Sequence, residues 1–143
     1  MDEIDNNLDT IKNENKILLD RFEKYLRNKK LSMTSIDKHI GNVEFFINDF
    51  LLYYEPIAAK DGSSQVGCFL GDWFIRKAMW ASVTTIRDNI TSFKKFYQFM
   101  FEIGEIPKDD LVELEEEIKE CKDDWLENLR KYDDPDVDLE DIW

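Results

Sequence analysis

One pattern of hydroxyl and apolar residues occurs twice in this sequence, fifty residues apart, and that repetition restricts the fold more than any other feature. Ser32-Met33-Thr34-Ser35-Ile36 aligns with Ser82-Val83-Thr84-Thr85-Ile86. The register continues through Ile40/Ile90, Val43/Phe93, Phe46/Phe96, Ile47/Tyr97, Phe50/Met100 and Leu51/Phe101. Each copy opens on hydroxyl side chains, which can accept hydrogen bonds from the free N–H groups of a helix start. Each then places apolar residues at three- and four-residue steps. The pattern predicts two capped amphipathic helices burying the same face. Whether it records a duplication or two helices built alike, these are the natural core helices. With only 5 Gly and 3 Pro in 143 residues, the chain lacks the frequent turns of a many-stranded sandwich or barrel.

Three further helices follow from the same periodicity. The first is expected from about Ile11 to Lys29, with Ile11, Ile17 or Leu18, Phe22, Tyr25 and Leu26 on one side. The second, capped at Ser32 or Thr34, is stopped by Pro56. A shorter third helix begins after the turn signal Asp61-Gly62-Ser63-Ser64 and runs through Val66, Phe69, Leu70, Trp73 and Phe74 despite Gly67 and Gly71. The fourth ends at Gly104, a residue suited to the left-handed conformation beyond a helix C-terminus. The fifth opens at Pro107 and Asp109-Asp110 and closes with Arg130-Lys131, both ends favourable to the helix dipole. Its seam of Leu111, Leu114, Ile118, Cys121, Trp125, Leu129 and Tyr132 must be buried somewhere, on this chain's own bundle or against another subunit. The expected fold is all-α and single-domain: a four-helix core over residues 1–107, an acidic amphipathic helix over 108–132, and a tail over 133–143.

Charge divides the chain along the same boundary. The formal net charge is −13, yet residues 108–143 hold sixteen acids against five bases and so contribute −11 of it. The nearly neutral body leaves nucleic-acid binding open, which a uniformly acidic surface would nearly exclude. No apolar run approaches the roughly 18 residues of a membrane helix, and Met1-Asp2-Glu3-Ile4-Asp5 is not the start of a signal peptide, so the reading is cytosolic with no membrane partner. Cys68 and Cys121 stand far apart, without further Cys or His at ligand spacing, and read as small apolar fillers.

From about Leu18 to Ile106 the sequence resembles the N-terminal SAM-like core-binding domain of the tyrosine recombinase, or phage integrase, family. The elements are Phe22 with Tyr25-Leu26, Lys29-Lys30-Leu31-Ser32 with Ser35-Ile36, and Ser82-Val83-Thr84-Thr85-Ile86 leading to Phe96-Tyr97-Gln98-Phe99-Met100 and Gly104. The resemblance implies an orthogonal bundle of the four core helices and a share in clamping duplex DNA. The family's catalytic domain has no counterpart in this sequence, where an acidic helix stands instead, so nothing catalytic is carried over.

On the fourth helix Thr84, Arg87, Thr91, Lys94, Lys95 and Gln98 fall within a sector of roughly 80–100°, opposite the apolar stripe. Three cations with no acid suit phosphate contacts, and Gln98 and the threonine hydroxyls suit base edges. Arg87, Thr91, Lys94, Lys95 and Gln98 are therefore the expected DNA-binding residues. The second helix offers Thr34, Asp37, Gly41, Glu44, Phe45 and Asn48 at matching positions, an acidic face rather than a second basic one. His39, the only histidine, reads as a surface residue or a member of a hydrogen-bond network. Enzyme signatures are missing: there is no Gly-rich phosphate loop, no nucleophile with a recognisable base, and no His-x-x-x-His or Cys-x-x-Cys pair. No catalysis, cofactor or metal is expected. The alternative function is an acidic protein-interaction or homodimerisation module, with Trp125 of the fifth helix and Leu139, Ile142 and Trp143 of the tail as the partner-binding residues.

Overall fold

The computed structural model describes residues 2–133, with side chains placed for 7–132. Five helices account for most of this span, and among the described residues there is no strand. They are α1 (Asp2–Asn28), α2 (Met33–Glu44), α3 (66–77), α4 (Val83–Glu102) and α5 (Lys108–Asp133). The protein is an all-α helical bundle.

Both copies of the repeat begin as their hydroxyls predict. Ser32 Oγ accepts the backbone N–H of Ser35 at the start of α2, and Ser82 Oγ accepts that of Thr85 at the start of α4. At α4 the bond is reciprocated, because Thr85 Oγ1 accepts the Ser82 N–H at 2.7 Å. Chain reversals after α1 and α4 also match. Lys30 and Gly104 each take a positive φ, and in both cases a 6→1 bond closes the turn, Leu31 N–H to the Leu26 carbonyl and Glu105 N–H to the Met100 carbonyl.

Two helices depart from regular α geometry. α2 passes directly into a π-helical turn, Phe45–Phe50, and α3 carries another, Phe69–Trp73, between the α-helical pieces Val66–Cys68 and Phe74–Lys77. Phe46, Ile47 and Phe50, and likewise Phe69, Leu70 and Trp73, reach the interior from these turns. The rings meet at the centre, with Phe46 4.7 Å from Phe93 and 5.1 Å from Phe69, centroid to centroid, while Phe22 lies edge-on to Phe96 at 5.2 Å. Before α3, the short 3₁₀ turns Ala59–Asp61 and Ser63–Gln65 are pinned from beneath by Tyr97, whose buried hydroxyl donates to the Ala59 carbonyl.

The acidic helix is part of this body. α5 lies along α4 and across α3, burying Leu111, Leu114, Ile118, Trp125 and Leu129. It comes close at both glycines of α3. A Cβ on Gly71 would stand 2.7 Å from Cδ1 of Trp125, and Asn128 Nδ2 donates to the Gly71 carbonyl. Cys68, expected inside, is exposed on α3, and Cys121 is half-buried. α1 begins well before the expected Ile11, carrying its helix back to Asp2.

Candidate nucleic-acid interface

Arg87, Thr91, Lys94, Lys95 and Gln98 share the outer side of α4, because their partners in the helical period, Ile86, Ile90, Phe93, Phe96 and Tyr97, are drawn into the core. They are not equally free. Thr91 Oγ1 donates back to the Arg87 carbonyl, and Gln98 Nε2 donates to Glu102 Oε2 at 3.1 Å. Glu102 also accepts the Tyr25 hydroxyl at 2.7 Å, and these two bonds hold its carboxyl below the ordinary value. Partial burial and that same contact push Tyr25 up to about 12. Gln98 is thus engaged in tying α4 to α1, and the charged work of the face falls to Arg87, Lys94 and Lys95. Among the described residues none of the three has a carboxylate within 4.0 Å.

Docking of α5 changes this face in a way the isolated helix does not disclose. A groove of about 640 Å³ runs between α4 and α5, with Arg87, Thr91 and Lys94 on one wall and Glu115, Glu116, Lys119 and Lys122 on the other. A second groove, of about 500 Å³, continues it toward α1 and brings Lys29 beside Lys95, sharing Lys94 and Glu115 with the first. The helix that carries most of the chain's acid therefore contributes both cations and carboxylates here. The positive strip and the negative helix are neighbours rather than separate parts. Lys119 and Lys122 are not among the DNA-binding residues expected from sequence. Their signal was the spacing Val112, Glu115, Lys119, Lys122, which is one flank of α5 beside its buried seam.

His39 sits at the edge of this region, buried between α2 and α4, with Nδ1 2.7 Å from Ser92 Oγ. Burial lowers its pKa, and Lys95 and Lys38 lower it further, against a smaller opposing effect of Asp88. It belongs to a hydrogen-bond network rather than to the surface.

Trp125 is 5% exposed and packed over Gly71, so it serves the chain's own interior and offers no surface to a partner. Leu139, Ile142 and Trp143 lie outside the described residues. Among the described residues no group of three His, Cys, Asp or Glu side chains is placed to hold a metal ion, and no helix is long and apolar enough to cross a membrane. No family model, curated protein or solved structure matches the chain.

Proposed function

We propose that this chain is a non-catalytic module that contacts duplex DNA through the strip formed by α4, α5 and the end of α1. One observation supports the reading above the others: on a chain of net charge −13, six cations and only two carboxylates line the two connected grooves. Arg87, Lys94, Lys95, Lys29, Lys119 and Lys122 are the six, and Glu115 and Glu116 are the two. Phosphate neutralisation by such side chains is the main source of DNA affinity. The carboxylates on the far side of α5 stand a helix thickness, about 10 Å, farther from a bound phosphate than those lining the grooves, and oppose it less. Glu115 and Glu116, within the lining itself, limit the affinity. The resemblance of Leu18–Ile106 to a recombinase core-binding domain favours the same partner.

The test is binding of a labelled duplex by fluorescence anisotropy at about 50 mM salt. Four phosphate contacts give an affinity falling about a hundredfold on raising the salt to about 200 mM. Replacing Lys94 and Lys95 together by Glu abolishes binding, whereas Glu115→Gln with Glu116→Gln tightens it several-fold. Absence of binding by the unaltered chain, or equal binding by the Lys94→Glu/Lys95→Glu variant, overturns the proposal.

A further inference from the structure

The side of α2 that corresponds to the cationic strip in the repeat borders a cavity of its own, about 360 Å³, between α2, its π-helical turn and the segment entering α4. Its walls are of two kinds. Phe45 and Trp80 supply rings, centroids 5.4 Å apart, and Trp80 remains 57% exposed at the rim. Glu44 and Asp49 supply carboxylates, both exposed, and no cation lines the cavity.

Three asparagines complete the lining, and their hydrogen bonds show what the cavity lacks. Asn89 is 2% exposed; its Nδ2 donates to the Thr85 carbonyl at 2.7 Å, which fixes the orientation of the amide. Oδ1, the branch turned away from Thr85, is buried without a partner. Asn42 likewise spends Nδ2 on Ser92 Oγ, at 3.0 Å. Asn48 receives Asn15 Nδ2 on its Oδ1 at 2.8 Å. A buried carbonyl without a donor is disfavoured, so Asn89 marks a place where a donor belongs. The cavity therefore offers amide carbonyls, two carboxylates and flat ring faces, a lining rich in acceptors and negative in charge.

We propose that this cavity binds the guanidinium group of a small arginine-like compound. A guanidinium is planar, carries five N–H donors, is weakly hydrated, and stacks on aromatic faces, so one group can pair with a carboxylate while lying against Trp80 and turn a donor toward the asparagine lining. An ammonium of equal charge is compact and strongly hydrated and cannot do both. The volume lies at the lower end of small-molecule sites. The site shares no lining residue with the cationic strip, and it stands or falls independently of DNA binding.

Agmatine is the probe, titrated into the ¹⁵N-labelled full chain and followed by NMR, with cadaverine and a blocked arginine peptide as the comparison arms. Saturable shifts of the Asn89 and Asn48 side-chain amide signals, with an affinity at least tenfold above that of cadaverine, are expected. Asp49→Asn and Trp80→Ala, both at exposed positions, each reduce that affinity about tenfold while leaving the core signals in place. No amide shift at millimolar agmatine, or equal binding of cadaverine, overturns the site. Tighter binding of the peptide than of agmatine overturns the small compound as occupant and assigns the cavity to an arginine of a partner protein.

Discussion

α2 and α4 start from the same cap and hide the same positions. Ser32 and Ser82 accept the N–H three residues on, and behind them Ile36 and Ile86, Val43 and Phe93, Phe46 and Phe96, and Ile47 and Tyr97 are all buried. Their outward sides share almost nothing. At Asp37, Gly41, Glu44 and Asn48 α2 is acidic or neutral, whereas the equivalent positions of α4 are Arg87, Thr91, Lys94 and Gln98. Caps and inward residues are constrained by the bundle, so they agree; outward residues are constrained only by what they meet in water. One helix framework thereby presents a positive strip on one copy and an acceptor-rich cavity beside the other.

The comparison is broken most forcefully at Phe46 and Phe96, which stand fifty residues apart and are both fully buried. Each truncation to Ala removes a whole ring from the aromatic centre and is expected to cost about 3–5 kcal/mol in chemical denaturation. The neighbours differ: Phe46 packs on Phe69 and Phe93, and Phe96 on Phe22 and Tyr97. Near-equal losses would mean that the two copies contribute alike to one core. A loss below about 1 kcal/mol for either would mean that its site collapses and that the equivalence is only one of pattern.

A finer contrast lies at the caps. Ser32→Ala and Ser82→Ala each remove one bond to a helix-start N–H and are expected to cost about 1 kcal/mol. The copies separate at the third helical residue. Thr85→Ala leaves the Ser82 N–H without its acceptor, while Ser35→Ala breaks only a hydroxyl contact with Ser32 at the exposed start of α2. Thermal melts should therefore place Thr85→Ala below Ser35→Ala by a few tenths of a kcal/mol. Indistinguishable melts would show that the reciprocal bond adds nothing.

Those caps, the buried stripe and the reversal at Gly104 were legible in sequence because each depends on residues within a turn or two of one another. The π turns were not. Phe45-Phe46-Ile47 and Phe69-Leu70 read as continuations of an α stripe, and regular α-helix buries the same adjacency at Phe96-Tyr97 and Phe99-Met100, so these residues alone do not mark where the helix widens. The candidate interface was half legible. Arg87, Lys94 and Lys95 share a helix and could be found by period, but Lys119 and Lys122 sit among carboxylates and become part of the strip only through the register in which α5 docks. That register brings Trp125 onto Gly71, a contact fifty-four residues apart in the chain. Nothing local announces it. The cavity beside α2 was written in the acidic face of that helix, yet its meaning depends on Asn89, which the period alone marks as one more buried position.

His39 and Asn89 are themselves a corresponding pair, and they give the smallest contrast, one that depends on pH. Both are buried polar residues between the two helices. Ser92 Oγ has one proton, which it donates to the Asp88 carbonyl at 2.9 Å, so it can only accept from Asn42 Nδ2 and from His39 Nδ1–H. Neutral His39 with its proton on Nδ1 satisfies this network, and burial with Lys95 and Lys38 nearby disfavours adding a second proton. The folded pKa thus lies below the unfolded value of 6.5, and the unfolded chain takes up a proton first as the pH drops. Its contribution to stability is complete above about 6.5 and is lost as the pH falls through the folded value. Asn89 does not titrate, so only the α2 side of the pair responds. The unfolding midpoint of the unaltered chain is expected to fall between pH 7.5 and 5.5 more than that of His39→Asn, whose amide keeps an N–H donor without a titrating ring. Glu117, raised by burial, slopes the opposite way, but it does so equally in both proteins and cancels in the difference. Parallel midpoints across that range would show that His39 is held as readily charged as neutral, and that the two copies of the repeat respond alike to acid.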